Sequence, residues 1–185
     1  MKHKLFIEAV VRDRNGKVIA RERRRSRSLV KQWHQMIYFQ VSSAGQTIKD
    51  TGGADRAGAK SQNNFVMNAP AGTTTYGLRV GTGDTAVTLA DYAVETPIAH
   101  GAGAGQLNHL VCTVAMSVTA APSCYFIVQR VFANYTGDNI TVKEAAIYTK
   151  MVTWYACVAR DVFGTELVVP DGGSITITWT LQVTL

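Results

Sequence analysis

The chain has 185 residues, the size of one ordinary domain. Hydrophobic residues make up 46% and charged residues 17%, against about 25% charged in soluble domains at large, so a core is affordable while the surface is sparing in charge and suits cover by copies or partners. No apolar run approaches the roughly 20 residues of a membrane span, and Met1 to Glu8 carry no apolar h-region, which predicts no secretory leader.

The formal charge is +6, and it is local. Residues 12–31 hold nine basic side chains (Arg12, Arg14, Lys17, Arg21, Arg23, Arg24, Arg25, Arg27, Lys31) and two acids (Asp13, Glu22). That is +7 in one segment, which leaves −1 for everything else.

Leu5 to Arg12 reads as a strand, Asp13-Arg14-Asn15-Gly16 as a turn, and Lys17 to Glu22 as the returning strand. Asn-Gly is the strongest short hairpin signal because both residues tolerate φ above zero. Leu29, Val30, Trp33, Ile37 and Val41, with Met36 beside them, recur at helical spacing. They predict one helix over roughly 28–41, with Ser26 or Ser28 as N-cap. From Ser42 to Thr75 the pattern lapses into Gly, Ala, Ser, Asn, Thr and Lys around Phe65-Val66-Met67. An extended loop is expected there, with a short strand near Phe65, ordered by packing on neighbours.

Strands follow at Tyr76–Gly81, Leu107–Thr119, Tyr125–Tyr135, Ile140–Thr149 and Trp154–Val162. Asn134 to Asn139 reads as a hairpin turn between two of them. The clearest strand comes last. Ile175, Ile177, Trp179, Leu181 and Val183 alternate with Thr176, Thr178, Thr180 and Gln182, a half-buried period of two after the Pro170-Asp171-Gly172-Gly173 turn. Short strands divided by such turns predict a mainly β chain, an antiparallel β-sandwich or jelly-roll-like fold. The expected organisation is a basic β-hairpin arm and N-terminal helix over 1–42, an extended loop over 43–75 and the sandwich over 76–185, forming one compact domain.

Cys112, Cys124 and Cys157 are odd in number and widely spaced, matching neither a disulfide framework nor a zinc site. They are expected as small buried hydrophobes in a chain folded in a reducing cytoplasm. Gly81-Thr82-Gly83-Asp84-Thr85 lacks the Gly-Lys-Ser/Thr ending of a phosphate loop. Gly101-x-Gly103-x-Gly105 misses the dinucleotide spacing at Gln106. Both read as turns, and no cofactor is expected. His3, His34, His100 and His109 share no metal-ligand spacing, although His100 and His109 could meet across a hairpin. Asp84, Asp91 and Glu95 are close enough for a cation site or carboxylate pair, but turn capping explains them more simply. No Ser/His/Asp or Cys/His set has a nucleophile in a sharp turn, so no enzyme is expected. Arg130 and Glu144 are expected to pair across adjacent strands, and Arg160-Asp161 to make cross-strand pairs likewise.

The charge feature above background is the arginine cluster. Arg21, Arg23, Arg24, Arg25, Arg27 and Lys31, with Trp33 on the helix, are the candidate interface residues. Such a patch attracts polyanions or the carboxylates of a neighbouring subunit. Aromatic side chains are not interleaved in it, which argues against a single-strand reader.

Three stretches carry a resemblance. They are Gly77 to Thr88 with Asp91-Tyr92 and Pro97-Ile98; Val128 to Gly137 leading into Ile140 to Tyr148; and Ala159 to Val162 with Val168 to Ile177. This set resembles structural proteins in the virions of tailed bacteriophages and covers about Tyr76 to Leu185. The resemblance implies a β-rich, multi-copy component of capsid decoration, neck or tail, homo-oligomeric and docked to other virion proteins. It implies a chain made in the host bacterial cytoplasm and resident in the virion, without membrane contact. Two alternatives stand beside it. One is a tail-tip module binding a receptor or glycan through Trp154, Tyr155, Tyr92 and Tyr76. The other is a virion factor contacting nucleic acid through the basic segment.

Overall fold

The computed structural model describes residues 2–26, 29–42, 46–58, 65–115 and 118–184. In chain order the elements are β1 (Lys2–Arg12), β2 (Val18–Ser26), α1 (Lys31–Ser42), β3 (Gln46–Lys49), β4 (Asp55–Gly58), β5 (Gly77–Gly81), β6 (Asn108–Val114), β7 (Val118–Ala120), β8 (Ser123–Ala133), β9 (Ile140–Lys150), β10 (Tyr155–Val169) and β11 (Ser174–Thr184). They form a six-stranded antiparallel sheet in the order β2-β1-β11-β8-β6, with β7 also on β8. A second sheet runs β10-β9-β5, and β3-β4 is a separate hairpin. The chain is an antiparallel β-sandwich with one helix among the described residues.

The alternation along β11 decides which face of the larger sheet goes inward. Ile175, Ile177 and Trp179 are fully buried and share a core with Ile7, Ala9 and Val11 of β1 and Val128 and Phe132 of β8. The smaller sheet meets them with Leu78, Val80, Val142, Ala145, Ile147, Val158, Leu167 and Val169. Its other face is covered too: Ala146, Tyr148 and Cys157 pack with Val30 and Val94. Burial on both sides explains why Ala145-Ala146-Ile147-Tyr148 runs apolar without alternation.

The N-terminal hairpin is integral to the sandwich. β1 pairs with β11 along its whole length, from Lys2 opposite Thr184 to Arg12 opposite Ser174. β2 is longer than its pattern suggests and runs to Ser26, so Arg23, Arg24 and Arg25 lie in a strand and not at the mouth of a helix. Ser26 is a buried strand residue, and Ser28 lies outside the described residues. Leu29 bridges Ala159 and the Val30 N–H donates to the Val158 carbonyl at 3.3 Å, which keeps this stretch extended and delays α1 to Lys31. The face that α1 buries carries Gln32 and Met36, while Ile37 is 40% exposed.

Part of the expected loop over 43–75 is regular: residues 46–58 hold a hairpin, while 43–45 and 59–64 lie outside the described residues. β3 and β4 pair around a turn that Asp50 organises. Its Oδ1 accepts from the N–H groups of Gly52 and Ala54 at 2.9 Å each, and Arg56 Nε donates to Oδ2 at 2.7 Å. Gly53 takes φ of +83°, where other L-residues are strained. The expected short strand near Phe65 is a bridge between Val66 and Lys150.

Asn134 to Asn139 does not close a hairpin. β8 lies in one sheet and β9 in the other, so this turn carries the chain across the sandwich. Asn134 is fully buried and donates through Nδ2 to the carbonyls of Asp138 (2.7 Å) and Val169 (2.9 Å). Its backbone N–H donates to Gly173 O, and its carbonyl accepts from Gly172, so the two sheet-to-sheet corners lock together. The expected Leu107–Thr119 strand divides into β6 and β7, and β10 continues past Val162 through an irregularity to Val169.

Candidate functional site

A buried charged cluster sits on the outer face of the smaller sheet. Glu144 on β9 and Arg160 on β10 are 0% and 2% exposed. Arg160 Nε donates to Glu144 Oε2 at 2.7 Å, and Nη1 donates to Asp91 Oδ2 at 2.9 Å and to the Thr85 carbonyl at 3.3 Å. Nη2 lies 3.5 Å from Glu95 Oε2. The Glu144 carboxylate also accepts three backbone N–H groups, from Gly83 (3.1 Å), Glu95 (3.0 Å) and Thr96 (2.9 Å).

The glycines of the phosphate-loop-like stretch therefore surround an anion, and that anion is internal. A Cβ on Gly83 would stand 2.5 Å from Glu95 Cβ and 2.7 Å from Glu144 Oε1. A Cβ on Gly81 would collide with the same carboxylate and with the Thr96 carbonyl. Small residues are required because the chain closes on Glu144 from both sides.

Asp91, Thr85, Tyr92, Ala93, Val94, Glu95 and Arg160 line a cleft of about 280 Å³. Burial works against the Asp91 charge, but bonds from Thr88 and Arg160 hold its carboxyl below the usual range. Glu95 is likewise held low, chiefly by Thr85, whose hydroxyl and N–H both donate to it. Asp84 points elsewhere and pairs with Lys143 at 3.3 Å. Among the described residues no group of three or more His, Cys, Asp or Glu is arranged to hold a metal ion.

The expected Arg130–Glu144 pair does not form, because β8 and β9 belong to different sheets. Arg130, 1% exposed, donates to three carbonyls instead: Leu110 at 2.8 Å, Leu78 at 3.1 Å and Pro70 at 3.2 Å. Arg160 takes Glu144, and Asp161 receives the Arg24 guanidinium. Near Arg130 lies Arg79, whose Nη1 is 3.4 Å from His109 Nδ1 and whose Nη2 is 3.4 Å from the Ile98 carbonyl. His100 and His109 do meet: the His109 N–H donates to His100 Nδ1 at 3.0 Å, and the rings are 5.5 Å apart. Burial first, then the Arg79 and Arg130 charges, pushes His109 down to about 3.

The candidate interface residues divide. Arg24 turns inward to Asp161, the Val162 carbonyl and Glu22. Arg21, Arg23 and Arg25 are exposed on the outward face of β2, and Arg21 Nε donates to Glu8 Oε1 at 2.8 Å. Lys31 is exposed at the start of α1, and Arg27 lies outside the described residues. Trp33 is half-buried and packs edge-on against Phe65 with centroids 5.7 Å apart. Of the aromatic platform, Trp154 belongs to the core, Tyr76 and Tyr155 stack on each other at 6.1 Å, and Tyr92 is 40% exposed at the cleft. Cys112 and Cys157 are buried as expected, whereas Cys124, on a strand near the sheet edge, is exposed.

The sequence signal that could have found the cluster is Gly81-x-Gly83 together with an acid that enters the apolar run Ala145-Ala146-Ile147. A charged residue flanked by Val142 and Ala145-Ala146-Ile147 needs a buried partner. Comparison with protein-family models, curated proteins and solved structures finds no match to this chain.

Proposed function

We propose that this chain is a structural component of a tailed-bacteriophage virion, a multi-copy β-sandwich that stabilises capsid, neck or tail through contacts between subunits. The observation that carries the proposal is how the central charge is used. Arg160 and Glu144 spend their hydrogen bonds on Asp91, Thr85, Gly83, Glu95 and Thr96, and so fasten 83–96 onto the smaller sheet. A rigid plate of this kind suits a building block, and the resemblance of Tyr76 to Leu185 to virion proteins gives the setting. β2 adds a sheet edge with Val18 and Ile19 nearly half exposed, a surface on which a neighbour can dock. Light scattering after size exclusion, with mass spectrometry of purified particles, tests it. Self-association and presence in the particle are expected. A strict monomer absent from the particle overturns the proposal.

A receptor- or glycan-binding module is favoured by a different observation, the exposed Tyr92 ring beside Asp91, Glu95 and Thr85 in the 280 Å³ cleft. An exposed aromatic face next to fixed acceptors suits a sugar ring. Saturable binding to one sugar on an array, lost in Tyr92→Ala, would establish this reading in place of the first.

A further inference from the structure

We infer that the outer face of the six-stranded sheet, along β2 and β1, is a docking surface for the phosphate backbone of duplex nucleic acid. The register fixes which side chains share that face. Phe6 stands opposite Arg25, Glu8 opposite Arg23 and Val10 opposite Arg21, while Leu5, Ile7, Ala9 and Val11 point into the core. Alternate residues of a strand lie about 6.8 Å apart on one face. Arg21, Arg23 and Arg25 therefore leave the strand in one row at a backbone spacing comparable to that of successive phosphates, and Lys4 continues the face on β1. Among the described residues of these two strands, Glu8 is the one acid on this face, and it is engaged by Arg21.

The neighbouring strands extend the surface without adding charge. Thr176, Thr178 and Thr180 of β11 pair with Val10, Glu8 and Phe6, and Gln129 of β8 donates to Thr178 at 2.9 Å. Hydroxyl and amide groups of this kind bond phosphate and sugar oxygens and carry no sequence code. A protein partner is the weaker fit, because the centres of protein interfaces are depleted in charge, whereas nucleic-acid interfaces are polar and strongly positive. A duplex is favoured over a single strand because aromatic rings do not alternate with the arginines. This surface lies on the opposite side of the larger sheet from the core and does not depend on the virion assignment.

The test is fluorescence anisotropy of a labelled random-sequence DNA duplex titrated with the whole chain across a salt series. Three cations that make no ion pair among the described residues (Lys4, Arg23, Arg25) predict a slope of log Kobs against log salt of about −3. Arg23→Ser with Arg25→Ser should weaken binding at least about tenfold and flatten the slope by about 2. Lys49→Gln with Lys143→Gln removes the same charge from other surfaces and should leave affinity within about twofold. A wild-type slope near zero, equal losses in the two double variants, or tighter binding to polyglutamate than to the duplex overturns the inference. The wild-type slope decides the matter even if a variant fails to fold.

Discussion

Arg160 Nε meets Glu144 Oε2 at 2.7 Å, and both side chains are buried. Breaking a buried ion pair from one side leaves the other charge without compensation and costs about 3–5 kcal/mol. Glu144→Ala should fall in that range, since three backbone N–H groups lose their acceptor as well. Glu144→Gln keeps an oxygen for some of those donors and should cost less. The combination Glu144→Leu with Arg160→Met should be less destabilising than the sum of its parts by about 1 kcal/mol or more. Urea unfolding of the wild type, the alanine and glutamine variants, the single variants Glu144→Leu and Arg160→Met and their combination measures each value. Additive single effects would show that the pair is not coupled.

Gly83 should tolerate no side chain. Its would-be Cβ meets Glu95 Cβ, a backbone-tethered atom that cannot swing away, at 2.5 Å. Gly83→Ala should cost about 1–3 kcal/mol through forced displacement. Gly164, where the nearest atom is Glu22 Oε1 at 3.8 Å, is the matched control. Equal unfolding midpoints for the alanine variants at 83 and 164 would contradict the close packing.

Arg130 should resist its usual replacement. Its planar fork reaches three carbonyls on three segments at once, which an ammonium on a single stem cannot do. Arg130→Lys should therefore strand at least one buried acceptor and lose about 1–3 kcal/mol, read from thermal or urea unfolding. Wild-type stability in this variant would show that the carbonyl bonds contribute nothing net.

How much of this was legible depended on the range of the interaction. The alternation from Ile175 to Val183 needs no partner to be recognised, and β11 spans Ser174–Thr184 as that pattern implies. Asn15-Gly16 likewise set the first hairpin, with Gly16 at φ of +80°. Composition misled at 46–58, where Asp50-Thr51-Gly52-Gly53 is a turn signal hidden in low-complexity sequence. Sheet membership was the larger loss. Arg130 and Glu144 sit in consecutive strands, but the chain changes sheet at Asn134, and nothing local in 134–139 separates a corner from a hairpin. Which arginine finds which acid is a long-range fact, so the cluster at Glu144 stayed hidden while its glycines were visible.

His109 should make stability depend on pH in a window that opens well above that of the carboxylates. Its folded value is pushed down to about 3 from 6.5 by burial and by Arg79 and Arg130. Between those values the unfolded chain holds a proton that the native state refuses, so stability falls as pH falls from about 6.5 toward 3, at about 1.4 kcal/mol per unit for one proton. Arg79, Arg130, His100 and Phe132 are the groups facing it. His109→Gln should flatten the urea midpoint between pH 7 and 4. Asp91 and Asp50, whose carboxyls are held below their ordinary values, should keep contributing in the variant until pH drops below about 4, and their stabilisation is then lost as they protonate. An unchanged slope in His109→Gln would place the titrating group elsewhere.

The cysteines should separate by exposure. Cys124 is exposed, while Cys112 and Cys157 are buried, and burial raises both buried thiols above their ordinary value. A thiolate is the reacting species, so burial suppresses reaction twice, by access and by ionisation. In the native protein at neutral pH, Ellman's reagent should titrate one thiol rapidly and the other two only after denaturant is added. Cys124→Ser should abolish the fast phase and leave the unfolding midpoint nearly unchanged, because the side chain is on the surface. Two fast thiols in the native wild type would mean that one of the two buried sites opens to solvent far more readily than its packing allows.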